Sequence, residues 1–331
     1  MKLLRGLTIA GAAALLSGCD LVLMSPSGDV AVQQRNLIVG SAVLMLAVVV
    51  PVILATFWFA WRYRAANEEA TYRPEWEHST ILELFIWAIP LAIIVILGAL
   101  AYVYSHKLDP FNSLTRIAPG EPVPTDVQPL VVDVVATEWK WLFIYPKQNI
   151  AVVNELAAPV NRPIKFNLTS TTMMDSFFIP ALAGQIYTMP GMQTQLHAVI
   201  NKPGVYKGFS ANYSGHGFNG MKFKFHGLSD ADFDQWVAKV KAQGSDLSRA
   251  VYKELAVPST NAPITYYSGV APDLYHDILN RCLEPHQTCM KDMMDRPNVK
   301  EGEGGEHQHM DMSMHTGGTM PMHGAVQQNQ G

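Results

Sequence analysis

The stretch FSANYSGHGFNGMKF, Phe209 to Phe223, reads as the end of one strand, a loop of Gly, Ser and Asn, and the start of a second strand. In that second strand Met221, Phe223 and Phe225 alternate with Lys222 and Lys224, the period-2 pattern of a half-buried strand. Loops of this build between two strands of a small sandwich often hold a metal. A blue-copper centre needs a Cys thiolate, two His and a weak axial Met; a dinuclear copper centre needs two bridging thiolates. This loop has one His, no Cys and no carboxylate. The chain's three cysteines, Cys19, Cys282 and Cys289, all lie elsewhere in the sequence. Counting thiolates therefore excludes both centres. His216 and Met221 alone are too few soft ligands, His197 and His226 are dispersed, and no metal is expected here.

The strands around this loop form a β domain over residues 130–228. LVVDVVA is a β-branched run, Ile164, Phe166 and Leu168 alternate with Lys165 and Asn167, and Leu196, Ala198 and Ile200 alternate likewise. Gly, Pro and Asn punctuate the runs, which predicts an antiparallel sandwich. Trp139 and Trp141 in EWKW are two apart and, on a strand, face one side; packing accounts for them. After Gly227 the period changes. Ser229 with Asp232 suggests a capping box. Phe233, Trp236, Val237 and Val240 fall on one helical face, and an aromatic stretch, ITYYSGVAPDLYHDIL, follows. Residues 229–285 thus read as a small, helical, aromatic-rich appendage.

On the N-terminal side, five prolines make residues 107–129 a linker. Before it stand two apolar runs. Asn36–Trp61 has no charged residue and Leu84–His106 has no Lys, Arg, Asp or Glu. Each exceeds the roughly 20 residues a transmembrane helix needs, and Trp and Tyr gather towards their ends as interfacial anchors do. Residues 36–106 are therefore a two-helix transmembrane hairpin with a loop at 62–79. This explains how a chain of 331 residues is 49% hydrophobic and only 16% charged. With a net charge of −4 and no basic stretch, nucleic acid is excluded as a partner.

Residues 1–18 carry Lys2 and Arg5, a short apolar run and small residues, as a cleaved signal peptide does. Leu16-Ser17-Gly18-Cys19 resembles a bacterial lipobox, which implies acylation (palmitate among the chains) of Cys19 and a lipid-anchored segment at 19–35. The other reading is an ordinary signal peptide with an incidental Cys. Asp20 resembles the signal for retention in the inner membrane. Export of the N-terminus makes the 62–79 loop cytoplasmic and the sandwich periplasmic. Residues 286–331 form a low-complexity tail with four His and five Met after Lys300, read as disordered. Either the tail binds copper adventitiously or it captures Cu(I) usefully. Cys282 and Cys289 enclose a short loop in an oxidising compartment, so a disulfide is one reading and free thiols the other.

Two transmembrane helices followed by an exported cupredoxin-like sandwich resemble subunit II of the haem-copper respiratory oxidases. In the cytochrome c oxidases of that family the loop has the pattern C-x-E-x-C-x-x-x-H-x-x-M, with a further His upstream in an H-S-F/W-x-x-P context. Here the upstream stretch is DSFFIP, and Asp175 stands at the His position. Ser210 and Ser214 stand at the Cys positions, Asn212 at the Glu, Phe218 at the His, and only Met221 is kept. This pattern is similar to subunit II of the quinol oxidases, in particular the bo-type ubiquinol oxidases. EWKWLFIYP, SFFIPALAGQIYTMPGMQTQLH and FDQWVAKVKA carry the same likeness, which covers roughly residues 16–285.

The resemblance implies that the chain belongs to a proton-translocating complex that oxidises ubiquinol and reduces O2 to water. The haems and copper would lie in a partner, subunit I, beside other small membrane subunits. Ubiquinol is dissolved in the membrane, so a copper relay in the exported sandwich would have no role. No catalytic residue is expected on this chain. Glu83, at the start of the second helix in ILELFIW, has two readings: the mouth of a proton pathway into subunit I, which the resemblance implies, or a snorkelling interfacial carboxylate. His78 beside it reads as interfacial. Two rival functions are a cytochrome c oxidase subunit with altered ligands and a membrane-tethered copper-binding protein using its tail.

Overall fold

A computed structural model describes residues 21–71, 73–284 and 287–294. Cys19, the signal segment and the His/Met tail lie outside them. Helix α1 runs over Asp29–Arg62 and α2 over Thr80–Lys107. At 1.5 Å per residue they are about 51 and 42 Å long, against a hydrocarbon core of about 30 Å. Among the described residues nothing covers their apolar stretches: Leu54 is 63% exposed and Trp87 77%. A helix that is apolar on every side and bare in its own chain needs lipid or a partner around it. Both are long and apolar enough to cross a membrane. Pro51 and Pro90 sit inside them, a cost that membrane helices tolerate.

After α2 the chain forms a small hairpin, β1 (Arg116–Ala118) and β2 (Glu121–Pro122). Among the described residues the sandwich has two sheets. One has the order β10 (Thr194–Ala198), β7 (Ile164–Ser170), β3 (Leu130–Thr137), β4 (Lys140–Tyr145), β5 (Ile150–Val153), β14 (Thr265–Val270), β13 (Ser245–Leu247). The other has the order β6 (Glu155–Pro159), β12 (Lys222–Leu228), β11 (Gly204–Ser210), β8 (Asp175–Phe178), β9 (Ile186–Thr188). The sandwich is not antiparallel throughout as expected: β3 pairs with β7, and β6 with β12, in parallel, neighbours that are far apart in sequence. The expected alternation holds: Met221, Phe223 and Phe225 are buried, while Lys222 and Lys224 are exposed. The core between the sheets is aromatic. Phe177 and Phe223 stack at 5.4 Å, and Trp141 meets both edge-on, the offset geometries that aromatic quadrupoles favour.

The appendage is helical over α3 (Asp230–Gln243), α4 (Arg249–Ala256) and α5 (Leu274–Leu279). Helix α3 is capped as the sequence suggests: the Asp232 amide donates to Ser229 Oγ at 3.1 Å, and Phe233, Trp236 and Val240 are buried. The appendage also carries two strands that the helical reading left out. TYYSGV is β14, and it pairs antiparallel with β5, Tyr266 opposite Val152. The appendage thus continues the sandwich's own sheet. A last short helix, α6 (Met290–Met294), follows Cys289, which is disulfide-bonded to Cys282.

The two tryptophans of EWKW do not share a strand face. Trp141 lies on β4 and is fully buried, but Trp139 sits in the two-residue β3–β4 turn with φ 64°. Tight hairpin turns require left-handed backbone, and one such residue breaks the period-2 alternation.

The start of α1 is joined to the sandwich. The amides of Ser27 and Gly28 both donate to the Ala181 carbonyl, and the Asn201 amide donates to Ser27 O. A side chain on Gly28 would meet the carbonyls of Val199 and Leu182. Asp29, 2% exposed, takes both nitrogens of a forked Arg116 guanidinium at 2.8 and 3.0 Å, and Gln33 Nε2 at 2.8 Å.

Candidate functional site

The residues at the copper-ligand positions converge in space. Ser210 ends β11 opposite Phe177, which places its side chain beside the first residue of β8. Ser210 Oγ donates to Asp175 Oδ1 at 3.0 Å, and the Ser176 amide donates to Ser210 Oγ at 3.4 Å. The Ser214 hydroxyl faces the same carboxyl without reaching full hydrogen-bond geometry. Asp175, Ser210 and Ser214 are all buried. Burial pushes the Asp175 carboxyl above the ordinary carboxylate range, and the serine hydroxyls oppose that only in part.

The other positions divide. Met221 is buried in the core, and its carbonyl accepts the Ser210 amide at 3.2 Å. Asn212 turns to the rim, where its Nδ2 donates to Met174 O at 3.2 Å. Phe218 packs on Tyr213 with ring centres 5.7 Å apart. The resulting donor set is one carboxylate and two hydroxyls, hard oxygen chemistry, where copper centres use thiolate and imidazole. These residues do not fit the copper group of the related fold. Trp139 braces the loop from the neighbouring turn. Its indole N–H donates to Ser214 O at 2.8 Å, and its ring lies 5.8 Å from that of His216. The indole also covers Gly217 so closely that any side chain there would run into it.

Glu83 sits in the first turn of α2, behind the N-cap Ser79. Its carboxylate meets His78 Nδ1 at 2.5 Å, and His78 Nε2 lies 3.1 Å from Thr80 Oγ1. Both side chains are more than half exposed. A carboxylate at a helix N-terminus is favoured by the macrodipole. The His78–Glu83 pairing spans five residues across a helix start, and the sequence reading treated the two residues separately.

Residues 125–226 match the family of the cytochrome c oxidase subunit II periplasmic domain, and residues 241–286 match the cytochrome oxidase aromatic-rich motif. Subunit 2 of the cytochrome bo(3) ubiquinol oxidase of Pseudomonas putida is 50% identical over 267 residues, 81% of this chain and 82% of that one. The chain belongs to the ubiquinol oxidase subunit 2 family. The counterpart from Pseudomonas aeruginosa is 48% identical over 278 residues, covering 84% and 81% of the two chains. Ubiquinol oxidase subunit 2 of Acetobacter aceti is 45% identical over 302 residues, covering 87% and 94%.

In this member of the ubiquinol oxidase subunit 2 family, two contacts that the sequence reading missed hold the aromatic-rich motif to the sandwich. The first centres on Glu155, at the start of β6. Its Oε1 accepts from Trp236 Nε1 at 2.8 Å and from Tyr266 Oη at 3.1 Å; His226 stands 3.7 Å from Oε2, an ion-pair distance. Burial alone would raise the Glu155 carboxyl, but His226, Trp236 and Tyr266 outweigh it and hold the group at about 2. The second is Lys140. Its Nζ donates to Val257 O at 2.6 Å and Ser259 Oγ at 2.8 Å, and burial lowers its pKa. The one sequence signal was a charged residue inside each β run, Lys140 in KWLFIY and Glu155 before LAA. A charge at such a place needs a buried partner.

Proposed function

We propose that this chain is the subunit II of a proton-translocating bo-type ubiquinol oxidase and that it carries no redox centre of its own. The complex oxidises ubiquinol and reduces O2 to water, with haems and copper in subunit I and further small membrane subunits alongside. The observation that carries this reading is the replacement of soft ligands by the buried Asp175–Ser210 pair, on a chain 50% identical to a ubiquinol oxidase subunit. A carboxylate with hydroxyl donors at van der Waals packing leaves the loop self-sufficient without a metal. Electrons from a membrane-dissolved donor have no need of a relay in the sandwich.

The chain's roles on this reading are mechanical and protonic. The hairpin α1–α2 anchors it in the inner membrane, with acylated Cys19 as a second anchor, and the sandwich covers the periplasmic face of subunit I. Glu83, paired with His78, stands at the cytoplasmic mouth of a proton pathway into subunit I. The pair is supported as a proton acceptor by its exposure and its short contact. The deciding experiment purifies the intact complex and measures oxygen uptake with ubiquinol and, separately, with reduced cytochrome c. Uptake with ubiquinol alone is expected. Uptake with cytochrome c, or copper that follows this subunit on dissociation, would overturn the proposal. Glu83→Gln is expected to slow proton-coupled turnover and leave subunit assembly intact.

A further inference from the structure

Leu21, Val22, Leu23 and Met24 form a 3-10 turn just before α1, and all four side chains are exposed, from 42% to 61%. Four consecutive large apolar residues on a polar domain's surface are unusual and mark contact with something apolar. The turn is held in place. The Ser25 amide closes it on Leu21 O and Val22 O, Pro26 is buried, and Ser27 and Gly28 are hydrogen-bonded to Ala181. From Gly28 the chain runs back alongside α1, so that Arg35 Nη1 reaches Met24 O at 3.5 Å. Arg35 is six residues into the helix, about 9 Å along its axis from Asp29. It is also the last charged residue before the uncharged run 36–61. The turn therefore stands at the level where the apolar span of α1 begins. Among the described residues Arg35 has no carboxylate partner; its side chain bonds only to Asn36 and Met24 O. An unpaired guanidinium at that level suits a lipid phosphate, and apolar side chains beside it suit the acyl boundary below.

We infer that Leu21–Met24 is a membrane-docking turn, which seats its apolar side chains in the bilayer leaflet on the sandwich side. The occupant is the lipid bilayer. The surface is continuous with the bare apolar helix α1. It fixes the height of the sandwich above the membrane, because the same backbone is bonded to Ala181. The inference rests on the reading of α1 and α2 as membrane spans.

The test places a photocrosslinking amino acid at position Val22 or Leu23 of the full chain in the intact membrane complex. Control probes go at Val43 and Met45, which are two residues apart, about 200° around the helix, and so face opposite sides of α1. Dominant adducts one phospholipid heavier at Val22 and Leu23 are expected. Crosslinks from those positions to another oxidase subunit would overturn the inference by making the turn a protein interface. Lack of any adduct there, with lipid adducts at Val43 or Met45, would overturn it by placing the turn in water. If neither control position labels lipid, the spanning reading fails as well.

Discussion

Removing the Glu155 side chain tests how the aromatic-rich motif is held. The carboxylate sits at about 2, against an ordinary value of 4.5. At about 1.4 kcal/mol per pH unit that gap corresponds to about 3 kcal/mol in favour of the folded, ionised state. Because the folded pKa is depressed, this stability is fully present above pH 4.5. It falls away as the pH drops from 4.5 towards 2. His226, at 3.7 Å, and the Trp236 and Tyr266 donors together hold the carboxyl down against its burial. Glu155→Ala leaves the buried Trp236 N–H unpaired and takes the acceptor from the half-buried Tyr266 hydroxyl, and should cost about 3 kcal/mol. Glu155→Gln keeps an acceptor for both and should cost about 1–2 kcal/mol. The motif should then detach locally before the sandwich unfolds. Limited proteolysis of the full chain in detergent, cutting within residues 229–284, should accelerate about 100-fold for Glu155→Ala, at tenfold per 1.4 kcal/mol. Cutting of Glu155→Gln should lose the dependence on pH between 4.5 and 2 that the parent shows. An Ala variant cut at the parent's rate, or a Gln variant with the parent's pH profile, would refute the reasoning.

Three further outcomes follow from the same structure. Asp175 is pushed up by burial, so its ionised form works against folding; Asp175→Asn should raise the urea midpoint at pH 7 and give no gain at pH 3, where the parent carboxyl is protonated in both states. Gly217→Ala drives a methyl into the Trp139 indole and should cost about 2 kcal/mol, read as a red shift of tryptophan emission and faster cleavage in the 211–220 loop. Asp29→Ala leaves the Arg116 guanidinium without its forked partner and should cost about 3 kcal/mol, measured as a lower midpoint of thermal unfolding of the solubilised chain.

The spans, the sandwich and the loop's lack of thiolates were legible because each has its own periodicity or count. Two long apolar runs, period-2 alternation at Met221–Phe225 and the missing thiolates need no tertiary information. What was not legible depends on partners far away in sequence. Helix α1 begins at Asp29, two turns before the apolar run, since the buried Asp29 carboxylate is paired with Arg116 and Gln33; hydropathy does not see a buried polar turn. The hairpin β1–β2 in the linker has strands of three and two residues, too short to show a period. TYYSGV looked like an aromatic appendage because a strand added to an existing sheet edge gains its meaning from β5. Trp139 was misplaced by one turn residue. The Asp175–Ser210 contact needs residues 35 apart to meet, and only the family resemblance brought them together beforehand.

That contact also bears on how the loop holds together with oxygen groups at the copper-ligand positions. A structural metal contributes folding free energy, because the site forms only in the folded state. A loop that loses soft ligands must replace that contribution or open. Here the replacements are local and identifiable. The hairpin is closed by the Ser210 amide on Met221 O and the Ala211 amide on Ser176 O. Ser210 is tied to Asp175. The Trp139 indole lies across Gly217 while donating to Ser214 O. Each neutral hydrogen bond is worth about 1 kcal/mol, and the indole contributes its buried area as well. Asp175 works in the opposite direction, since its burial penalises the charged form. A loop selected for stability alone would place an apolar or amide side chain there. What Asp175 contributes is geometry: the carboxyl fixes Ser210 and, through it, the register of β8 against β11. Those two strands carry Phe177 and Phe209 into place. The frame keeps its order with oxygen groups at the ligand positions because these contacts set the sheet itself, β8 against β11.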